Sequence, residues 1–149
     1  SLPMILELLL AGLVGVLIAT QAGLNADLGR HLGSPLLATL AAFGLGLASA
    51  AVGALVFTRR LPTTADLRAV PPHLWVGGTL GALALAAMYW LIPRLGIGTT
   101  IAMVLCGQLA LALVAGHRGW LGQEPVPLTA TRALGAIALV AGILLIQKG

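Results

Sequence analysis

The sequence predicts an all-α polytopic membrane protein, a bundle of five transmembrane helices, and three observations carry that prediction. Of its 149 residues 59 % are apolar and only 8 % are charged, where soluble domains average about 25 % charged. The apolar residues fall into continuous runs of about 20, the length that crosses ~30 Å of hydrocarbon as a helix. Short stretches with proline, glycine and arginine separate those runs. Eight basic and four acidic side chains are too few to cover a soluble globule without apolar patches beyond what monomers tolerate. The runs do not alternate apolar with polar residues, as the strands of a membrane β-barrel do.

The first run, Met4 to Leu24, holds Glu7, Thr20 and Gln21 and continues helically to Leu32, before the stop signals Gly33 and Pro35. The start Ser1-Leu2-Pro3 has no basic residue and the run is long, so it reads as a span and not as a signal peptide. Leu36 to Phe57 is free of charge, with Ser34-Pro35 in front as a helix start and Thr58-Arg59-Arg60 behind. The third span covers 74–92, with Trp75 at one end and Tyr89-Trp90 at the other in the manner of interfacial aromatics. Pro93 to Gly96 is a hairpin corner, which returns the fourth span, 97–115, antiparallel beside the third. The fifth span begins near Leu128, because a start at Ala133 would leave a helix of only about 22 Å, and it runs to 147. One transmembrane domain, 1–149, accounts for the chain.

Five spans put the termini on opposite sides. One side carries Arg59, Arg60, Arg68, Arg118 and Arg132, the other Arg30, Arg94 and Lys148. The excess places the N-terminus inside, by a margin small enough to permit insertion both ways. The arginines are scattered, which fits inner-membrane loops and excludes nucleic acid as the expected partner. Membrane lipid is the surrounding medium.

Small residues at four-residue spacing recur at Gly15, Ala19 and Gly23, at Ala42, Gly46, Ala50 and Ala54, and at Gly77 and Gly81. In lipid such stripes let helix backbones approach, and we expect most of them to serve packing within the chain. Gly135, Ala138 and Gly142 lie on the last helix, which follows a long loop, and are expected at a contact with another subunit.

Polar side chains within the spans are the candidates for function, since each is expensive in hydrocarbon unless paired or wetted. Gln21 and Asn25 are four residues apart, and Glu7 lies on the same face of the helix, eighteen residues before Asn25. Gln108 is mid-span in the fourth helix, and the third offers Tyr89 and Trp90. Glu7 is read as an interfacial helix-start residue, the alternative being a proton-coupling carboxylate. Gln108 has two readings of equal weight, a bond to a neighbouring helix and a binding group. Thr39, Ser49, Thr99 and Thr100 can bond their own helix backbones. His31, His73 and His117 sit in separate loops, so no metal site is expected. Cys106 has no disulfide partner in this sequence. No nucleophile with its base, phosphate-binding loop or carboxylate pair can be assembled. An enzyme is therefore not expected, and neither is a cofactor.

The blocks Gln21 to Arg30, Gly77 to Ala82, Pro93-Arg94-Leu95-Gly96 with Thr99-Thr100 and Gly107-Gln108-Leu109, and Arg132 to Gly135 with Ala141 to Leu145 resemble the YdcZ-like family of small bacterial inner-membrane proteins, in the drug/metabolite transporter superfamily. The resemblance runs through nearly the whole chain. It implies half of an inverted-repeat transporter, working as a homodimer by alternating access, antiparallel in the manner of dual-topology relatives. It implies Gln21, Asn25 and Gln108 as binding residues, without naming a substrate; the lack of a deep carboxylate on the first helix is what makes a small amphipathic metabolite or drug-like solute the expected cargo. The family's acidic residue before the histidine that follows the fourth helix is absent from Gly116-His117-Arg118-Gly119. A different class of function, a non-transporting membrane partner or assembly protein that binds another helical membrane protein, would use the same small-residue stripes.

Overall fold

A computed structural model describes residues 3–149, and the Ser1-Leu2 start weighed above lies outside the described residues. The described residues form helices and turns with no strand among them. Five helices are long and apolar enough to cross a membrane. In chain order the α-helices are α1 (Met4–Leu32), α2 (Pro35–Phe57), α3 (Thr64–Ala69), α4 (Gly77–Leu95), α5 (Ile97–Arg118) and α6 (Ala130–Lys148). A 3₁₀ turn, Pro72–Val76, leads into α4. The chain divides into two compact units, the first ending at Arg94 and the second starting at Leu95.

In the first unit α1 is 29 residues long, about 43 Å at 1.5 Å per residue, and so exceeds the hydrocarbon it crosses. It stops at Gly33, whose φ of 70° is left-handed and whose N–H, with that of Ser34, bonds back to the last turn. The Ser34 hydroxyl then caps α2 by accepting from the Leu37 N–H, and Pro35 occupies the first turn. This two-residue turn sets α2 against the end of α1. Gly29 makes the approach possible, because a Cβ built there would lie 3.4 Å from the Pro35 Cα and 3.5 Å from the Ala38 Cβ. Ala22, Ala26 and Gly29 are the buried residues of α1, and Ala38 and Thr39 those of α2. The stripe expected at Gly15, Ala19 and Gly23 is therefore not the one that packs most closely: Gly15 is exposed, and the other two are half-buried.

Between α2 and α4 the chain makes α3, a single capped turn. Thr63 accepts from the Asp66 N–H, and the Asp66 carboxylate accepts from the Thr63 N–H and hydroxyl at 2.8 Å each. Arg60 adds a contact at 3.3 Å. These bonds hold the Asp66 carboxyl below its ordinary value of 3.8, the Thr63 backbone N–H contributing most.

Several boundaries differ from the sequence-based ones: α4 begins at Gly77 where 74 was expected, α5 runs to Arg118 where 115 was expected, and two further shifts concern a corner and a cap. The corner expected over Pro93 to Gly96 shrinks to Gly96 alone: α4 runs through Pro93 to Leu95, and Gly96, with a φ of 83°, precedes α5. A proline in the last turn removes one donor to the fourth residue before it and is tolerated there, because few further turns depend on it. α6 begins at Ala130, two residues after the expected start, because the Thr129 hydroxyl caps it by accepting from the Arg132 N–H.

In the second unit α5 packs on α6. Their connection is tied down at both ends. Gly119 is left-handed and takes the cap of α5, the Trp120 N–H donates to the Ala115 carbonyl, and the Val126 N–H donates to the Gly116 carbonyl at 2.8 Å. The His117 Nδ1 accepts from the Leu128 N–H at 3.2 Å. A Cβ at Gly119 would come within 2.8 Å of the Pro125 ring.

Candidate functional site

The helical repeat that puts Gln21 and Asn25 on one face of α1 also lets them bond each other. The Asn25 Nδ2 donates to the Gln21 Oε1 at 3.2 Å. From α4, Tyr89 completes a closed set: Asn25 Nδ2 donates to the phenol oxygen at 3.0 Å, and the phenol donates to Gln21 Oε1 at 3.5 Å. Tyr89 is 1 % exposed, while both amides are half-buried. Ala86 and Met88 are buried with Tyr89 on α4.

The set uses up some groups and leaves others. Asn25 spends both amide hydrogens and Tyr89 spends its hydrogen and an acceptor site, but the Gln21 Nε2 and the Asn25 Oδ1 have no partner within the described residues. No fully buried side-chain nitrogen or oxygen among the described residues lacks a bond, so these two atoms are accessible. One uncharged donor group and one uncharged acceptor are thus left free on neighbouring turns of α1.

Gln21 also borders a cavity of about 410 Å³ whose other walls are Ala42, Phe43, Gly46, Leu47 and Ala50 of α2 and Leu85 of α4. Apart from the amide this cavity is apolar. Three members of the small-residue stripe on α2, expected to bring helices together, line open space instead. Gly81 does serve contact, since a Cβ there would lie 3.7 Å from the Phe43 ring.

The remaining candidates stand apart from this cluster. Trp90 follows Tyr89 but turns to a different side of α4. It is 47 % exposed, and its ring lies under the Arg94 guanidinium at 3.8 Å from the centroid. Glu7 is exposed in the first turn of α1, about 21 Å along the axis from Gln21 at 1.5 Å per residue. Gln108 belongs to the second unit, mid-way along α5, and bonds no side chain of that unit. Gly135 and Ala138 on α6 are exposed and Gly142 is half-buried, whereas Ile143 is the buried residue of that helix.

The sequence offered Tyr89 as an interfacial aromatic and a candidate side chain, with no partner named for its hydroxyl. The phenol oxygen's place between two amides depends on which way α4 turns beside α1, and no local spacing shows that. The pairing of Trp90 with Arg94 was missed too, although an aromatic followed four residues later by arginine is a readable helical signal. Two of the three threonines bond their own backbones, Thr39 donating to Pro35 at 2.9 Å and Thr100 to Gly96 at 2.8 Å, whereas Thr99 makes no such bond among the described residues. Ser49 donates likewise to Leu45.

A family model described as "Putative inner membrane exporter, YdcZ" matches residues 6–145. Neither a search of curated proteins nor one of solved structures returns a match. The match covers three spans whole, nearly all of the first and last, and every candidate residue named above.

Proposed function

The chain belongs to the YdcZ family of the drug/metabolite transporter class, a multi-pass inner-membrane protein, and from that premise we propose that it exports a small amphipathic metabolite or drug-like solute held at the Gln21–Asn25–Tyr89 cluster. The observation that carries the reading is the uncommitted amide pair beside an apolar cavity. A solute with a polar, uncharged group and a hydrocarbon body would satisfy both at once. Amides suit this because they donate and accept without bringing charge into hydrocarbon. In this reading Glu7 stays at the interface without coupling protons.

The working unit in this reading is an antiparallel homodimer that operates by alternating access. Two opposed five-helix copies recreate the inverted repeat that transporters rock about a central site. The face of α6 with the exposed Gly135 and Ala138 and the half-buried Gly142 supplies the contact. Reporters fused to the C-terminus test the arrangement: comparable signals from both sides of the membrane are expected, and one side only would overturn it.

The binding site is tested by replacing Gln21 and Gln108 separately with leucine. Melting temperature and the thermal shift from a panel of neutral, anionic and cationic amphiphiles are measured on each. Loss of ligand shift is the expected result for Gln21→Leu, with a melting temperature lowered by the loss of the acceptor for the buried Tyr89 hydroxyl. If both variants melt several degrees lower yet bind as before, the amides are interhelical bonds and the site lies elsewhere.

A further inference from the structure

We propose that the cleft between the α1–α2 corner and the last turn of α4 binds the phosphate head of an amphiphile. The cleft encloses about 470 Å³ and is lined by, among others, Arg30, Ser34, Tyr89, Trp90, Pro93 and Arg94. It lies wholly within the first unit and is separate from the apolar cavity beside Gln21, although Tyr89 belongs to both neighbourhoods. Its occupation does not depend on the transport reading.

Two guanidiniums from different helices open onto it. Arg30 gives its Nε and Nη2 to Asp27, which leaves Nη1 uncommitted. Arg94 gives Nη1 to the Trp90 carbonyl at 2.6 Å and leaves Nε and Nη2 uncommitted. Its stacking on the Trp90 indole holds the fork in position before a ligand arrives, so less side-chain freedom is lost on binding. The Ser34 hydroxyl accepts from Leu37 and keeps its own hydrogen to donate.

The charge balance favours an anion. Against two guanidiniums stands one carboxylate, Asp27, leaving one positive charge uncompensated. His31 faces Asp27, with Nδ1 at 2.9 Å from its carbonyl oxygen, and adds no negative charge. Guanidinium forks match the oxygens of a phosphate, whose terminal oxygens can meet the three separate donor groups one each. The space is too large for a bare phosphate, and Tyr89 and Pro93 give it carbon walls against which the first part of a chain can lie.

Depth agrees with this. Arg30 is two residues from the end of α1 and Arg94 one residue from the end of α4, which is where spans meet head groups and long basic side chains reach phosphate. The phosphate could belong to a phospholipid of the membrane or to a single-chain solute, and the chemistry recognised is the same.

The test uses the full chain in an uncharged detergent, with Trp75→Phe and Trp120→Phe so that Trp90 is the remaining indole. Octyl phosphate, dihexanoyl phosphatidic acid and octyltrimethylammonium are titrated while Trp90 emission is followed. Saturable changes with the phosphates and none with the ammonium compound are expected. Arg30→Gln and Arg94→Gln should each weaken phosphate binding about tenfold or more, as loss of a charge-assisted bond does. Arg94→Lys, which keeps charge without the fork or the stacking, should fall between, and it carries the test should Arg30→Gln fail to fold. Tighter binding of phosphatidic acid than of octyl phosphate assigns the cleft to lipid, and the reverse assigns it to a solute. Equal binding of the ammonium compound, or phosphate binding unchanged in the arginine variants, overturns the proposal. Transport is not read, so failure of the amide-site reading leaves this result unaffected.

Discussion

The two units are held together by different means. In the first, side chains of separate helices bond one another, with Asn25 of α1 reaching Tyr89 of α4. In the second, α5 and α6 meet through apolar contact, and the polar bonds gather in their connection, where His117 and the Gly116 carbonyl hold the returning chain. The contrast follows from the solvent. In lipid, burying apolar surface no longer drives helices together, so association rests on close packing, interhelical hydrogen bonds and the constraint of the loops. A polar bond between spans has a second use, because it places donors and acceptors where a solute can find them. A bond in a loop stabilises without offering a site.

The largest effect, counting binding together with stability, should come from breaking the first unit's bond. Asn25→Leu removes two contacts at once and leaves the buried Tyr89 phenol with the 3.5 Å contact to Gln21 alone. We expect a loss of about 1–2 kcal/mol in stability together with a loss of ligand binding. Calorimetric melting with and without ligand checks both. Unchanged binding would mean that the cluster is structural, which would make the two units alike.

Next comes the second unit's turn. Gly119→Val puts a β-branched side chain at a φ of 66° and drives its Cβ towards Pro125, at a cost of about 1–3 kcal/mol. Its signature should be a lower melting temperature with ligand binding by the first unit retained. A loss of binding as large as that of Asn25→Leu would erase the distinction drawn here.

A smaller change is expected for His117→Ala. The Leu128 N–H loses its acceptor but lies in an exposed loop where water substitutes, so the loss should stay near 0.5–1 kcal/mol. Hydrogen exchange at Leu128 should quicken while exchange along α1 does not.

The smallest effect concerns the extramembrane turn α3 and its pH dependence. The folded Asp66 carboxyl titrates below its unfolded value of 3.8. Its contribution is therefore present above that value and is lost as pH falls through the lower folded one. Protection of the Thr64–Ala69 amides, taken relative to the intrinsic exchange rate at each pH, should fall in acid below about pH 4, and Asp66→Asn should flatten that dependence. An equally steep response in the variant would assign it to another group.

Composition and the spacing of apolar runs were enough to determine the number of spans, their approximate limits and the face shared by Gln21 and Asn25, because those properties are local. A helix turns at 3.6 residues whatever surrounds it, and about 20 apolar residues cross the hydrocarbon whichever neighbours they have. The capping signals at Ser34-Pro35 and Thr129 were equally readable, though the exact start of α6 waited on the threonine's bond to Arg132. Tertiary structure alone decided which small residues pack and which line space. Gly29 and Ala26 became the close contact, and Gly46 and Ala50 a cavity wall, although all four look alike as small residues in apolar helices. It also decided that Tyr89 joins the amides and that Arg30 and Arg94, 64 positions apart in the chain, open onto one cleft. Such pairings depend on how each helix is rotated about its axis relative to its neighbours. In lipid the apolar pattern carries little information about that rotation, since a span that is apolar all round satisfies the hydrocarbon at any angle.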